Sequence, residues 1–414
     1  MTASEKSPNN PTSPSLERYA FLLRAPGGAP RAELVTLDER WKSNVQPSGT
    51  NTVYGRAPLR STKPVGAALA SALRRELFGR RKRRGSMRLV RSQRLDPPPG
   101  RPGKFSGRAR DWLLGGAVFQ FSSDKSNETL LDVVARAAGA AKTPDRFHAP
   151  GDGGAVARIQ TRGGDEAILR AAAAGGPTDP GRLADGLEYL ERRGLGRIPR
   201  VTGRGVVEDI SWITESLVEG VEPMELDDDL IAQVIEFCSD LPLTSGSPEA
   251  PAEELAVVGR AFPQWADRIA RLQEEVAPTL GRLPGVARHG DLWSGNLLVR
   301  EGRLTGVIDW AAWHPSAAPG TDLLHLRAAQ RKRGTSTELG EVWLEHPWDD
   351  SGWLTLTAGY WTALGIEPNE ETLEAISVAW WASWVAQSIA RHPGRATQAH
   401  WVHGNIDSVM EAIG

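Results

Sequence analysis

One stretch, from Arg288 to Trp310, constrains this chain more than any other. It places Asp291 on a loop, Asn296 five residues later, and Asp309 at the end of a run of aliphatic and β-branched residues. The glycines of the loop give its backbone the freedom to wrap around a site. We therefore take this stretch as the centre of the predicted site.

Two short strands are predicted inside this stretch, Leu297–Val299 and Leu304–Ile308, joined by a turn at residues 300–303 whose glycine can adopt positive φ. Asn296 enters this hairpin where Asp309 leaves it. Such positions are neighbours in an antiparallel pair. We therefore expect the side-chain oxygens of both residues to reach one cation.

These polar groups match the needs of Mg-ATP phosphoryl transfer. In that reaction one carboxylate orients and deprotonates the accepting hydroxyl, while an Asn and an Asp hold metal ions on the phosphates. Asp291 suits the first role, and Asn296 and Asp309 suit the second. ATP and Mg²⁺ are the predicted cofactors, and the pattern does not distinguish ATP from GTP.

Three segments then carry a resemblance to a known family: His289-Gly290-Asp291 through Asn296, Ile308-Asp309-Trp310, and Gly320-Thr321-Asp322-Leu323. They resemble the catalytic core of the aminoglycoside phosphotransferase and choline kinase group, a branch of the protein-kinase-like fold. The resemblance implies an α+β, two-lobed fold with a small antiparallel β lobe and a larger helical C-terminal lobe. It also implies transfer of the γ-phosphate to a hydroxyl of a sugar, an aminosugar or an amino alcohol.

The resemblance assigns roles to residues outside the hairpin. His289 is expected to brace the catalytic loop, and Asp322 either caps the helix that follows or supports this loop. Gly153 and Gly154 lie in a turn expected near the nucleotide phosphates. Arg170 is expected to contact those phosphates at a position where protein kinases have Lys, which is not an equivalent donor; alternatively, Arg170 is an ordinary edge-strand charge.

Two further nucleotide contacts are implied. Glu215 begins the segment to Gly220, which is predicted to be the hinge that meets the base. The helix predicted at Pro180–Arg193 is expected to supply an acid that pairs with the basic strand residue. Asp185 and Glu188 are both candidates, and the sequence does not choose between them.

The length of 414 residues suits two lobes and an extension. The predicted parts are a disordered N-terminus at residues 1–15, an N-terminal extension at 16–125, a kinase-like N-lobe at 126–220 and a helical C-lobe at 221–414. Several elements are predicted within these parts: strands at Tyr19–Leu23, Ala32–Leu37, Ala117–Phe121, Ala155–Thr161 and Glu166–Ala171, a helix at Asn127–Ala138, a loop at Pro242–Ala252 and a helix at Ala261–Val276.

Charge is unevenly distributed in the extension. From Arg56 to Arg110 there are seventeen Lys and Arg residues against two acidic residues, although the whole chain has a formal net charge of −2. A predicted helix beginning at Pro64 runs into the basic run Arg80–Arg84. This run is either a solvated helix end or a contact for an anionic membrane or an acidic partner within residues 74–110. Nucleic acid is not expected, because no aromatic interleaving or nucleic-acid-binding motif accompanies the charge.

Cys238 is the only cysteine, so an intramolecular disulfide is excluded and a Cys-based zinc site is implausible. The N-terminus lacks the basic-then-apolar order of a signal peptide, and the apolar stretch at residues 375–390 is too short and too polar to span a bilayer. A buried helix is predicted there. These features favour a cytoplasmic protein.

The C-terminal third is rich in Trp and in acidic residues. The Trp residues are expected to lie mostly in the core, with one or two available to stack on an acceptor. The acidic residues form either a solvated surface or an attraction for a cationic acceptor. These acids are Glu338, Glu341, Glu345, Asp349 and Asp350.

A second hypothesis from another class stays open. The chain is then a catalytically inactive, kinase-like protein that binds a nucleotide or a partner and is positioned by its basic extension. Arg170 in place of Lys favours this hypothesis, whereas the complete set of Asp291, Asn296 and Asp309 argues against it.

Overall fold

The computed structural model describes the backbone of five N-terminal strands and most of the chain from residue 130 onward. Four predicted features lie outside the described residues: the N-terminal segment 1–15, the helix beginning at Pro64, the basic run Arg80–Arg84, and the turn with Gly153 and Gly154. The described residues are 19–24, 31–36, 52–58, 88–94, 116–122, 130–144, 155–175, 179–207, 210–335, 337–391 and 393–413.

The extension contains a five-stranded sheet of strand order β2-β1-β3-β5-β4. β1 and β2 pair antiparallel from Tyr19 opposite Thr36, which confirms the two predicted strands, whereas β1 and β3 run parallel. The predicted strand at 117–121 is β5, but β3 and β4 were not predicted. The five strands are β1 (Tyr19–Arg24), β2 (Arg31–Thr36), β3 (Thr52–Pro58), β4 (Arg88–Arg94) and β5 (Gly116–Ser122).

The chain divides into two compact units, residues 1–179 with 203–214 and residues 180–202 with 215–414. The first unit holds a second sheet, of order β6-β7-β9-β8, together with helix α1. Its small core consists of alternate strand residues and one helix face, including Val134, Ile159 and Leu169. The elements are α1 (Leu130–Ala137), β6 (Ala155–Gln160), β7 (Glu166–Ala173), β8 (Val201–Val207) and β9 (Ile210–Ser216).

The second unit is mainly helical. Its first helix, α2 (Pro180–Arg192), buries Leu183, Leu187 and Leu190, as the apolar spacing predicts. The remaining helices and strands are α3 (Asp228–Ser239), α4 (Ala250–Ala261), α5 (Ala266–Leu280), β10 (Val286–Arg288), β11 (Leu297–Arg300), β12 (Arg303–Val307), β13 (His314–Ala317), α6 (Thr321–Lys332), α7 (Leu339–Leu344), α8 (Ser351–Leu364), α9 (Glu370–Arg391), α10 (Ala399–Val402) and α11 (Ser408–Ala412).

The helix predicted at 261–276 and the loop predicted at 242–252 are wrong in their limits. α4 already begins at Ala250, with Pro251 in its first turn, where proline costs no hydrogen bond. It ends at Ala261 because Pro263 disfavours helical geometry at Phe262, and α5 then starts at Ala266. The predicted helix therefore corresponds to α5, which starts five residues later than expected, and α4 was not predicted.

The C-terminal helices form the core of the second unit. α9 is buried along most of its length, which confirms the predicted buried helix at 375–390. Of the eight C-terminal tryptophans only Trp384 is partly exposed. No described helix is long and apolar enough to cross a bilayer. The sheet of the first unit and the larger helical second unit confirm the predicted α+β class.

Candidate active site

The predicted hairpin is formed by β11 and β12, which pair from Leu297 opposite Val307 to Arg300 opposite Arg303. Its turn has two residues rather than the predicted four. Glu301 and Gly302 both have positive φ, 53° and 73°, the geometry that matches the twist of a two-residue hairpin.

The base of the hairpin brings the two predicted metal ligands together. The backbone N–H of Ile308 donates to the carbonyl of Asn296 at 2.9 Å, so this hydrogen bond joins Asn296 to the residue that precedes Asp309. Asp309 itself has left-handed backbone, with φ 67° and ψ 55°. That conformation turns the chain out of the strand and into a short 3₁₀ turn at Trp310–Ala312.

The loop before the hairpin is held by His289, which is fully buried. Its Nε2 lies 2.8 Å from the carbonyl oxygen of Ile308, and its Nδ1 accepts the backbone N–H of Asp291 at 3.2 Å. A neutral imidazole protonated on Nε2 satisfies both contacts. The ring also packs edge-on against Trp310 at 4.6 Å. His289 thereby ties the loop to the end of the hairpin.

Asp322 holds the same loop from the other side. Its two carboxylate oxygens accept the backbone N–H groups of His289 at 2.7 Å and Gly290 at 2.8 Å. The prediction that Asp322 caps a helix beginning at Leu323 is wrong: α6 begins at Thr321, and Asp322 lies inside its first turn. A buried carboxylate with two backbone donors is well satisfied, which explains why it points into the loop.

The start of α6 is fixed by buried groups. Tyr360 accepts the backbone N–H of Gly320 at 2.7 Å, and burial raises the pKa of Tyr360 far above its ordinary value. Burial also raises the pKa of Cys238, and the charge of Asp322 raises it further. The thiol is therefore neutral at neutral pH.

Asn296 is oriented by a single hydrogen bond. Its Nδ2 donates to the carbonyl of Asp291 at 2.7 Å, and the residue is 6% exposed. The amide oxygen is the ligand atom that this hydrogen bond does not use. Together with the carboxylate of Asp309 it suits a magnesium ion, which is commonly held by one or two side chains plus substrate phosphates. Within the described residues no group of three or more His, Cys, Asp or Glu forms a self-sufficient metal cage.

Each carboxylate oxygen of Asp291 contacts a different side chain. His325 Nε2 lies 3.4 Å from Oδ1, and Arg391 Nη1 lies 3.3 Å from Oδ2. The indole N–H of Trp380 donates to His325 Nδ1 at 3.1 Å. Since an indole is a donor only, His325 accepts at Nδ1 and presents Nε2–H to Asp291. We call His325 and Arg391 the clamp on Asp291.

The clamp decides the charge state of Asp291. Burial alone would raise the pKa of this carboxyl group, but the hydrogen bond from His325 and the positive charge of Arg391 outweigh burial and hold its pKa well below its ordinary value. Asp291 is therefore ionised at neutral pH. Its side chain remains 27% exposed, so an acceptor can still approach it.

The predicted nucleotide-contacting residues occupy varied environments. Arg170 lies half-buried on β7, opposite Val156 on β6. Glu215, near the end of β9, is buried. Asp185 is exposed on α2, and half-buried Glu188 lies 3.9 Å from Arg192. The nucleotide contacts of these residues remain predictions, as do those of Gly153 and Gly154.

The segment after Glu215 is attached to the hairpin. Val221 and Val299 exchange two backbone hydrogen bonds, both of 2.9 Å. Gly220 has φ 138°, and a Cβ there would lie 2.6 Å from the hydroxyl of Thr305. The predicted hinge therefore ends at a position that requires glycine.

The clamp was missed by sequence reasoning. His325 lies 34 positions and Arg391 100 positions beyond Asp291 along the chain, and neither belongs to the motif. No local signal marks either residue. Only the apolar pattern that packs α6 and α9 together brings them to the site.

Comparisons with known proteins agree with the motif. Residues 146–329 match the phosphotransferase enzyme family. No curated protein sequence matches the chain.

Solved structures of aminoglycoside phosphotransferases resemble the chain at low identity. APH(3'')-Id from Streptomyces rimosus is 17% identical, with 62% of this chain and 97% of that chain covered and a TM-score of 0.43. A thermostable mutant of APH(4)-Ia, in a ternary complex with ADP and hygromycin B, is 15% identical, with 68% and 98% covered and a TM-score of 0.44. The aminoglycoside-3'-phosphotransferase of type VIII is 21% identical, with 60% and 97% covered and a TM-score of 0.41.

The family match contains the whole loop and hairpin from His289 to Asp309, as well as Asp322. Residues 146–329 of this chain therefore match the phosphotransferase enzyme family, which confirms the resemblance that the motif indicated.

Proposed function

We propose that this protein is a Mg-ATP-dependent small-molecule kinase that transfers the γ-phosphate to a hydroxyl group. The proposal rests on the loop that His289 and Asp322 hold in place, and we call these two residues the clasp. The loop holds Asp291 beside Asn296, and the hairpin base adds Asp309. An orienting carboxylate beside two oxygen ligands is what phosphoryl transfer requires.

Asp291 accepts the hydrogen bond of the incoming hydroxyl and aligns its oxygen with the phosphate. Because its pKa is low, the carboxylate is a weak base before reaction. The proton therefore moves late, once bonding to phosphorus has made the hydroxyl acidic, in keeping with a loose transition state. Orientation is its main contribution.

Asn296 and Asp309 would hold the magnesium ion. Bound there, the ion would neutralise charge on the phosphate oxygens. The fixed Nδ2 contact of Asn296 keeps its amide oxygen in one orientation, and the left-handed backbone of Asp309 sets the direction of its carboxylate. Arg170 would contact the phosphates with its planar guanidinium, and either Asp185 or Glu188 would pair with it.

The remaining nucleotide contacts belong to the same proposal. Gly153 and Gly154 would approach the phosphates with their backbone N–H groups, and the segment that begins at Glu215 would meet the base. The acceptor implied by the resemblance is a sugar, an aminosugar or an amino alcohol. We place the enzyme in the cytoplasm, where ATP is available.

A thermal-shift titration with Mg-ATP and Mg-GTP tests the nucleotide site. A ligand that binds only the folded state raises the unfolding midpoint by mass action, by about 2.7 kcal/mol of stability at a hundred times its Kd. We expect a shift for the wild type that is lost in Asp309→Asn and retained in Asp267→Asn, an exposed helix residue. No shift with either nucleotide contradicts the proposal.

Phosphate transfer to candidate hydroxyl compounds separates the kinase from the inactive binding protein. In Asp291→Asn we expect nucleotide binding to persist while transfer is lost. Binding without transfer in the wild type favours the binding protein instead. Liposome co-sedimentation with Arg80–Arg84 neutralised then tests the membrane role proposed for residues 74–110, and unchanged sedimentation rejects it.

A further inference from the structure

The clamp places the guanidinium of Arg391 on the acceptor side of the site, beside the carboxylate of Asp291. We propose that Arg391 selects acceptors by charge, favouring a hydroxyl compound that carries a carboxylate or phosphate group near the accepting hydroxyl and disfavouring one that carries an amine. The inference rests on the proposed kinase function. It narrows the acceptor towards hydroxy acids, sugar acids or sugar phosphates and away from aminosugars and amino alcohols.

The position of Arg391 is the first argument. It is the last residue of α9, its side chain is 31% exposed, and its Nη1 lies 3.3 Å from the Oδ2 of Asp291. A hydroxyl that binds Asp291 must therefore lie close to the guanidinium. An ammonium group on the same small acceptor would meet a like charge there, whereas an anionic group would meet a partner.

The shape of the guanidinium is the second argument. Arginine carries five N–H donors in a rigid fork, and the contact with Asp291 is made through Nη1. Nη2 and Nε remain to bind a second anion. A bidentate contact with a carboxylate or phosphate is the geometry that this fork favours.

A second arginine adds to the positive charge. Half-buried Arg395 lies four positions after Arg391 in the chain and donates from Nη1 to the hydroxyl of Ser388 at 3.2 Å. Burial lowers the pKa of Arg395, Glu338 offsets part of this effect, and the charge of Arg391 lowers the pKa further. The two guanidinium groups thus repel each other, which an anionic ligand would relieve.

The acids that were expected to attract a cationic acceptor are mostly engaged elsewhere. Glu338 and Glu341 form a reciprocal capping box at the start of α7, and Glu338 also binds Lys332 at 3.1 Å. Asp350 caps α8 and lies 3.4 Å from both Arg327 and Arg331.

The other two acids add little to a cation site. Asp349 faces His346 at 3.5 Å, and Glu345 is exposed at the end of α7. The acidic cluster is therefore mainly a set of helix caps and ion pairs, and the prediction that it draws in a cation loses its support.

A matched set of three-carbon acceptors tests the proposal. Glycerol is neutral, glycerate carries a carboxylate, glycerol phosphate carries a phosphate, and serinol carries an amine on the same skeleton. Phosphate transfer gives kcat/KM for each, and calorimetry in the presence of Mg-ADP gives Kd for any compound that is not phosphorylated. The two anionic compounds separate a carboxylate preference from a phosphate preference.

In the wild type we expect at least one anionic compound to exceed serinol by about a hundredfold in kcat/KM or in affinity. Arg391→Gln should reduce this preference to less than about tenfold, and Arg391→Glu should reverse it. Arg391→Lys keeps the positive charge but not the planar fork of the guanidinium, so its anionic preference should lie between those of the wild type and Arg391→Gln. Arg268→Gln, a half-buried arginine on α5 that stacks over Trp265, should leave the preference unchanged.

Two results overturn the proposal: serinol equals or exceeds both anionic compounds in the wild type, or the anionic preference survives in Arg391→Gln. The thermal unfolding midpoint of each variant shows whether that variant is folded under the assay conditions, so that only folded proteins are compared. Calorimetry of the same acceptors without nucleotide measures the anion preference independently of Mg-ATP binding. It therefore distinguishes a failure of the proposed role of Arg391 from a failure of the kinase function. Loss of Mg-ATP binding with anion preference intact would reject only the kinase, and Mg-ATP binding without anion preference would reject only the role of Arg391.

Discussion

The backbone and the carboxylate of Asp291 are held by different kinds of structure. The backbone of its loop is clasped by His289 and Asp322, whose contacts are short, buried and directed at main-chain groups. The carboxylate is held by the clamp of His325 and Arg391, at 3.3–3.4 Å and partly exposed.

The two sets of contacts therefore control different properties of Asp291: its position and the charge around its carboxylate. The clasp sets where Asp291 lies and depends on residues of the motif itself. The clamp sets the charge environment and depends on two helices that enter the site from distant sequence. We therefore expect substitutions in the clasp to affect folding, and substitutions in the clamp to affect acceptor choice and rate.

The largest expected effect follows from removing the clasp. Asp322→Ala leaves the buried N–H groups of His289 and Gly290 without their acceptor, which should cost about 3–5 kcal/mol of unfolding free energy. Asp322→Asn keeps one carbonyl oxygen and should cost roughly half as much. Urea denaturation measures both, and a loss below about 1 kcal/mol in Asp322→Ala would show that the loop is held by other contacts.

A glycine pair tests the clasp without removing a charge. Gly290 has φ 81°, and a Cβ there would lie 2.3 Å from the carbonyl oxygen of Ala312. Gly290→Ala should therefore combine left-handed strain with a steric clash, at about 3 kcal/mol. Gly302 has φ 73°, but a Cβ there would meet no atom within 4 Å, so Gly302→Ala should show the strain alone, about 1 kcal/mol. Equal losses of stability in the two variants would contradict a steric requirement at Gly290.

The clamp can be loosened through Trp380. Trp380→Phe removes the donor that fixes the Nδ1 of His325, so the imidazole is no longer held with Nε2–H towards Asp291. We expect kcat to fall about fivefold, corresponding to about 1 kcal/mol, with little change in the KM for nucleotide.

Trp361→Phe is the matched control for this change. It removes a buried indole hydrogen bond of the same 3.1 Å length, made to Thr357 rather than to His325. A similar fall in kcat for both variants would show that Trp380 contributes only general stability.

The smallest expected effect is a pH dependence of stability. The folded-state pKa of Asp291 lies below the value of about 4 expected in the unfolded chain. The ionised carboxylate therefore stabilises the fold above about pH 4, and this stabilisation is lost as the pH falls towards the lower folded value. Urea midpoints of the wild type and Asp291→Asn should converge below pH 4, and a constant difference from pH 7 to pH 3 would contradict a stabilising clamp.

Much of the fold near the site was predictable from local pattern. The hairpin follows from two short apolar runs separated by a glycine turn, and α9 follows from its continuous apolar composition. The break between α4 and α5 is also present in the sequence as Pro263, but the apolar spacing across it favours one helix. The strands β3 and β4 lack a clear alternating apolar pattern, so their pairing was not predicted.

By itself the sequence indicated the family resemblance, the hairpin and the polar residues of the motif, because all of these depend on neighbours a few positions apart. The tertiary structure alone decided that Asp322 supports the loop rather than capping its helix, and that His325 and Arg391 meet at Asp291. Contacts between side chains 34 and 100 positions apart follow from how helices pack. No local periodicity encodes that packing, and therefore none encodes the charge beside Asp291.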